Sequence, residues 1–499
     1  MSIRKLFVGL LLSSLFSLAA TRTFGQEVDA AIVAGTVLDA SHAAVADAKV
    51  TLVHVATNSA TEVHTNEHGE YRTPPLRIGE YEVVVEASGF KRFDQRGLVL
   101  SIGDVRQVDA VLEVGQVSQT VTVEAVTPLL QTEDSTVGTL ITNQQITELP
   151  LNGRDYLQLA TLSSGTVPVI SNGVGISIGG QAGGQVAFLL DGQDNNNQQI
   201  STSHSGQKDI VEPSIDAIQE FKVVTNGYSA EYGRSSSGVI TAAIKSGTNQ
   251  FHGVGYEFFR NAALDAENYF TPASAPKPAF GRNQFGGAIG GPIVHNKTFL
   301  FGDFEICRIR QSVTTTSTLP TDLQRQGAFA TPIYDPNTGL AFPIVNGQYT
   351  IPASRIDPIA LKILNLLPHA QTSAATANYV YVSPENQDPR RWDFRVDQVL
   401  SDKQNLYFRY SSQDSDNGVV SLLPPASGEG YYSSGPTGET GAQTTVSKSF
   451  VLSYNRVWSP TLVSSIHAGW NYLNWINSFP AQPLGGIGIP GVTSTNPGF

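Results

Sequence analysis

The chain has 499 residues, a net charge of −12 and a single cysteine, Cys307. The acidic balance offers no basic surface for nucleic acid, and one cysteine permits neither an intrachain disulfide nor a cysteine-based zinc site. A hydrophobic fraction of 40% supports folded cores, and after the N-terminus no apolar run is long enough for a spanning helix, which excludes a helical membrane bundle and leaves a β-rich chain.

Residues 1–25 open with Arg4 and Lys5, continue with the apolar run Leu6–Ala20 and end in small residues, the order of a secretory signal peptide. Cleavage is expected after Ala19 or after Gly25. The run is short for a span of about 20 residues. The protein is therefore expected to be exported, and any later membrane crossing has to use strands.

Over 31–113, short alternating strands are expected at Ile32–Asp39, Ala48–His54, Tyr81–Ala87 and Val105–Leu112, with turns at Glu67-His68-Gly69 and Arg77-Ile78-Gly79-Glu80. Such spacing predicts a small β-sandwich. The phrases Gly69-Glu70-Tyr71, Leu76, Gly79-Glu80-Tyr81 and Ala87-Ser88-Gly89-Phe90 resemble the carboxypeptidase regulatory-like domain, a transthyretin-like sandwich related to carbohydrate-binding folds. His64-x-x-Glu67 has the spacing of a peptidase metal pair, but it lies at a turn with no third ligand in context, so it reads as structural. No aromatic platform for sugar is evident, and the domain reads as an accessory.

Residues 114–136 form a linker. Within it Thr120, Val121, Thr122, Val123 and Glu124 alternate with high β-propensity and few large side chains. Periodicity alone favours a last strand of the sandwich; a lone strand here would suit pairing with a partner's sheet edge. In position and composition Thr120–Glu124 resembles the TonB box that precedes the plug of outer-membrane transporters. The resemblance implies contact with a TonB-type energy-transducing protein on the periplasmic side.

Over 137–247 several phrases follow in order: Leu149-Pro150-Leu151-Asn152-Gly153-Arg154-Asp155, Gly179-Gly180-Gln181, Val186–Gly192, Ser214–Val223, Ala230-Glu231-Tyr232-Gly233-Arg234 and Gly238-Val239-Ile240. Phe188–Leu190 reads as a buried strand stopped by the turn Asp191-Gly192. Ile215–Phe221, apolar at 215, 218 and 221, reads as a short amphipathic helix feeding a strand Lys222–Thr225. Together they resemble the plug of TonB-dependent transporters of the Oar-like branch, which singles out Asn152, Gly153, Arg154, Asp191, Gly192, Tyr232, Gly233 and Arg234 as plug-motif residues. Gly179-Gly180 departs from the Arg-Gly that many plugs carry. Asp191–Asn197 lacks the spacing and closing Glu of a calcium loop and reads as a polar hairpin tip, and Gly173–Gly184 has no β-α unit to make a nucleotide site.

From 248 to 499 seven amphipathic strands are expected, at about 251–261, 283–293, 298–309, 391–400, 404–412, 446–458 and 462–476. Val254, Tyr256 and Phe258 alternate with Gly253, Gly255 and Glu257; Trp392, Phe394 and Val396 alternate with Asp393, Arg395 and Asp397. One apolar, aromatic face against one charged face is the lipid-out, polar-lumen pattern of an outer-membrane barrel. Short turns at His295–Lys297, Ser401–Lys403 and Ser459–Pro460 alternate with long connections at Ala262–Arg282, Gln311–Arg390 and Gln413–Thr445. The third strand has the weakest pattern, because Phe299 and Phe301 fall on one face and Phe304 and Ile306 on the other. Seven strands cannot close round a plug, for which about 22 are needed, so the chain is expected to be an N-terminal fragment carrying the first part of an antiparallel transmembrane β-barrel.

The fold class is therefore mainly β: signal peptide, small sandwich, mixed α/β plug and incomplete barrel. The resemblance implies TonB-dependent transport across the bacterial outer membrane. The expected partners are the TonB-type protein, outer-membrane lipid and an extracellular substrate of carbohydrate, peptide or protein class. The alternative is an outer-membrane adhesin or assembly protein that retains a plug without transporting. A soluble periplasmic sugar-binding protein would account for the first 113 residues only. No cofactor, metal or catalytic group is expected. Cys307 reads as an unpaired barrel residue, and His204 lies near the Asn/Gln-rich tip that could face ligand.

Overall fold

The computed structural model describes residues 30–115, 120–124, 136–168, 176–181, 185–197, 209–228, 232–233, 235–269, 277–418, 423 and 442–478. The signal segment, His204, Arg234 and the last residues of the chain lie outside them.

Eight short strands form the sandwich: β1 (Ile32–Asp39), β2 (Lys49–His54), β3 (Ser59–His64), β4 (Glu70–Arg72), β5 (Gly79–Glu86), β6 (Arg92–Leu100), β7 (Val105–Gln107) and β8 (Ala110–Leu112). One sheet holds β4, β1 and the pair β7 and β8. The other runs β3-β2-β5-β6 and ends on β9 (Thr120–Glu124). Alternate residues such as Val50, Leu52, Val83 and Val85 fill the space between the sheets. The single strand expected at Val105–Leu112 is interrupted at Val108-Asp109, while the register along β1 runs on unchanged, Ala34 opposite Gln107 and Val37 opposite Ala110. At the interruption a Cβ on Gly35 would stand 1.9 Å from the Val108 carbonyl oxygen, and only glycine lets the backbones approach so closely. His64, paired with Asp47 and Glu62, ends β3 as a structural residue.

Next comes a mixed sheet, ordered β10-β15-β16-β13-β14. It comprises β10 (Val137–Thr142), β13 (Val186–Leu190), β14 (Gln193–Asp194), β15 (Ile218–Asn226) and β16 (Gly238–Ile244), with the small pair β11 (Thr166–Pro168) and β12 (Ile176–Ile178) beside it. The helix α1 (Asn143–Glu148) starts on a capping box in which Thr142 and Gln145 satisfy each other's backbone N–H. Its Ile146 packs with Tyr156, Phe188, Phe221 and Ile240 in one core. The helix expected over Ile215–Phe221 is instead a single 3-10 turn, Ile215–Ala217, followed at once by β15. A bulge at Gln219 explains the misleading period. One extra residue puts Ile218 and Phe221, three apart, on the same face of a strand.

The rest is an antiparallel wall of long strands: β17 (His252–Asn261), β18 (Phe280–Val294), β19 (Thr298–Ser317), β23 (Tyr379–Gln387), β24 (Arg390–Ser401), β25 (Gln404–Gly418), β26 (Ala442–Ser459) and β27 (Leu462–Ser478). Strands β23 and β24 are two halves of one crossing. They continue the same register along β19, Gln387 opposite Ile309 and Arg390 opposite Ile306, and break only at Asp388-Pro389. Pro389 has no N–H to give the ladder, while its carbonyl accepts the Cys307 N–H at 2.9 Å. Seven crossings result, as the alternation predicts. The loop expected over Gln311–Arg390 is shorter, since both its ends are strand, and it carries a folded module: β20 (Ala328–Phe329), β21 (Ile344–Val345), β22 (Gln348–Thr350), α2 (Asp322–Arg325) and α3 (Pro358–Leu366).

Side chains alternate across the wall. Asp303, Glu305, Asp393, Arg395, Asp397 and Arg409 are buried on the concave face, while Phe304, Trp392, Phe394, Phe408, Trp470 and Tyr472 are exposed on the convex face. The first strand departs from expectation. Tyr256 pairs with Gly286, and Gly286 with the inward Glu305, so Val254, Tyr256 and Phe258 point inward and do not form a lipid face. Phe299 and Phe301 also point inward and are buried, Phe301 within the core of the mixed sheet, which removes the ambiguity of the third strand.

Candidate functional site at the contact of mixed sheet and wall

The turn after β13 is a two-residue hairpin in which Asp191 and Gly192 both take positive φ, 45° and 72°. Asp-Gly suits that conformation. The hairpin is no solvent-exposed tip: Asp191, Asn195 and Asn197 are buried. The Asp191 carboxylate accepts the Ile244 N–H at 3.0 Å and meets two wall arginines, Nη1 of Arg395 at 3.2 Å and Nε of Arg409 at 2.8 Å. Arg409 is fully buried and also donates to Ser411 and Ser449. Arg395 in turn pairs with Asp397 at 3.2 Å and stacks over Tyr407 at 4.4 Å.

A second cluster forms round the Asn152-Gly153-Arg154 phrase. Gly153 and Arg154 have φ of 84° and 56°, a tight corner that turns Arg154 out toward the wall. Its Nη2 lies 2.5 Å from Asp216, its Nε 3.8 Å from Glu305, and its guanidinium sits 4.6 and 4.3 Å from the Tyr256 and Phe258 ring centres. The inward-facing rings of β17 are therefore a stacking surface for a cation. Arg391 bridges Glu305 on the wall at 2.7 Å and Glu212 of the mixed-sheet unit at 2.5 Å. Arg282 donates to the Gly153 carbonyl at 2.6 Å, and Ser214 to Asp303 at 2.5 Å.

Of the residues singled out by sequence, Gly153, Arg154, Asp191 and Gly192 come together along this contact. Asn152 sits one turn away, its N–H on Gln158. Tyr232 stands apart, edge-on to Tyr228 at 6.4 Å, with Gly233 beside it. Thr120–Glu124 is not a free strand: it pairs in parallel with Arg92–Arg96. Sequence reading missed the wall partners Arg391, Arg395, Arg409 and Glu305. The signal was present in Arg391, Asp393, Arg395 and Asp397, four alternating charges at a spacing of two, which a strand places on one face. Among the described residues no group of His, Cys, Asp and Glu is arranged to hold a metal ion.

A third contact joins the mixed sheet to the sandwich. The Ile102 N–H donates to Glu220 at 2.5 Å. Burial, with Asp104 nearby, pushes the Glu220 carboxyl up to about 7. A carboxyl raised above its unfolded value stabilises the contact below about pH 4.5 and loses that contribution as pH rises through 7. The Ile102 amide is therefore expected to exchange with solvent faster at pH 8 than at pH 5, after correction for intrinsic rates, and Glu220→Gln to flatten the difference.

A wall apolar outside and charged inside, folded round a separate mixed sheet, defines a transmembrane β-barrel with an internal domain. The chain belongs to the outer membrane beta barrel domain family, which it matches over residues 243–499, and it is an outer-membrane protein. Residues 32–113 match the carboxypeptidase regulatory-like domain. The chain is 26% identical over 284 residues to the TonB-dependent transporter Oar of Myxococcus xanthus, an alignment covering 54% of this chain and 26% of Oar; it thus spans about a quarter of that relative's length. Among solved structures, a ferric enterobactin receptor mutant of Pseudomonas aeruginosa in complex with enterobactin aligns at 13% identity and a TM-score of 0.40, over 67% of this chain and 41% of that one. The outer membrane transporter YddB of Escherichia coli aligns at 12% and 0.40, over 67% and 39%.

Proposed function

We propose that the chain is part of a TonB-dependent transporter, with 137–247 as its plug, 248–499 as the first part of its barrel and Thr120–Glu124 as the strand on which a TonB-type protein pulls. The observation that carries this reading is the ion-paired contact between mixed sheet and wall. Asp191, Arg154 and Glu212 of the plug meet Arg395, Arg409, Glu305 and Arg391 of the barrel. Such a contact holds a separate domain inside a pore wall, and its charges serve positioning; none is arranged as a nucleophile with its base, so the chain is read as no enzyme. Short turns such as Ser401–Lys403 then face the periplasm and the long connections face outward. Similarity to Oar supports transport; the substrate class stays open among carbohydrate, peptide and protein.

Main-chain hydrogen bonds give strand addition its affinity, so Val121→Pro should weaken binding of the purified periplasmic domain of the TonB-type protein to the full-length receptor at least ten-fold, with unchanged amounts in the outer membrane. Binding unaffected by the proline would sink the pull-strand assignment and favour the adhesin or assembly alternative. The folded module between Ser317 and Tyr379, with Leu340, Ile344 and Val345 exposed, suits that second reading.

A further inference from the structure

The sandwich does not hang free of the barrel. Its Ala56 carbonyl accepts the Asn249 N–H at 3.0 Å, its Thr57 carbonyl accepts from the Asn249 side chain at 2.7 Å, and the Glu62 N–H donates to the Asp402 carbonyl at 2.9 Å. Glu62 also faces Lys403 at 3.5 Å. Val457 of the wall packs within the sandwich core cluster. Three short-turn regions, at Asn249, Asp402-Lys403 and Val457, thus hold one small domain across the ends of the strands.

The deepest of these contacts is Arg77, on the loop between β4 and β5. Its Nη2 lies 2.8 Å from Asp397, whose side chain is wholly buried, and its guanidinium stands 5.6 Å from the Phe299 ring centre. Asp397 is shared with Arg395, and Arg395 with Asp191 of the plug hairpin. Charges therefore alternate from sandwich to wall to plug: Arg77, Asp397, Arg395, Asp191, Arg409. Between the three parts lies a cavity of about 250 Å³, lined by His54, Arg77, Asp191, Asp397, Tyr407 and Asn455 among others.

We propose that the sandwich is a gate on the periplasmic mouth, a second stopper below the plug, latched by Arg77 in the acidic slot of Asp397. What passes the gate rests on the transport reading; the latch itself does not. Opening the path requires the sandwich to leave the mouth, and its departure leaves Asp397 with Arg395 alone of its two arginines, which loosens the hold on the plug hairpin. Freed of Arg77, Asp397 draws Arg395 more strongly to itself and away from the Asp191 carboxylate with which that guanidinium is shared.

The test uses the full-length protein with Cys307→Ser, in detergent, and Asn455→Cys as a reporter on the cavity wall. The probe is a polyethylene-glycol maleimide too large to enter the closed cavity. Labelling is expected to be slow with Arg77 or Arg77→Lys, and at least ten-fold faster with Arg77→Glu, which repels Asp397. A disulfide between Ala56→Cys and Asn249→Cys, added to the Arg77→Glu protein and formed before labelling, is expected to restore slow labelling. Fast labelling with Arg77 in place would overturn the gate, as would equal rates for Arg77 and Arg77→Glu. Neither rate needs substrate or a TonB-type protein, so the gate and the transport reading fail separately.

Discussion

Asp191→Ala is expected to release the mixed-sheet domain from the wall without unfolding the wall. The substitution leaves Arg395 and Arg409 buried on neighbouring strands, Arg395 with Asp397, and Arg409 with serine hydroxyls, the Leu190 carbonyl and the nearby Asp393 carboxyl. Breaking a buried pair by removing one partner costs about 3–5 kcal/mol, so the free energy of opening at Phe188 and Ile240 should fall by about that amount. Amide hydrogen exchange reads this directly, and at about 1.4 kcal/mol per decade the amides should exchange about a hundred- to a few-thousand-fold faster. Asp191→Asn keeps the shape and the bond from Ile244 but not the charge, and should fall between. Unchanged protection in the alanine variant would show that apolar packing alone holds the mixed-sheet domain.

Arg391→Met is expected to have the next largest effect, at the other cluster. Arg391 compensates Glu305, whose side chain is almost fully buried, and at the same time ties Glu212 to the wall. Without it Glu305 retains the Tyr256 hydroxyl at 3.0 Å and Arg154 at 3.8 Å, so the loss should sit near the low end of the same range, about 3 kcal/mol. Adding Glu305→Gln removes the uncompensated charge. The double variant should therefore be less damaged than the sum of the single ones by about 1–3 kcal/mol. Strict additivity in urea unfolding of the mixed-sheet domain would show that the two groups act independently.

The parts of the fold that sequence made legible are those where chemistry and period agree. Trp392–Asp397 and Leu406–Tyr410 show their faces because every second residue is charged or polar and the rest are apolar, and the structure keeps that division. The first wall strand misled because an aromatic ring serves equally as lipid surface or as platform for a guanidinium; Tyr256 and Phe258 do the second, and their partner Arg154 lies about a hundred residues earlier. Ile215, Ile218 and Phe221 misled because a bulge imitates helical spacing. Asp191-Gly192 announced its turn but not its burial, since burial depends on Arg395 and Arg409 from a different part of the chain. Motif order located one side of the site; the other side lay in the alternation of the wall, where each charge looked like ordinary lumen polarity.

The third crossing of the wall has a consequence for reach. Strand β19 is 20 residues long. At about 3.3 Å per residue and a tilt of about 40° it climbs roughly 50 Å, while the apolar band it must match is about 25 Å tall. Its upper half, paired with Tyr379–Gln387 beyond the Asp388-Pro389 break, is therefore a collar standing about 20 Å beyond the apolar band. The folded module at its tip is thereby carried beyond the apolar band, held off it on strands that continue the wall.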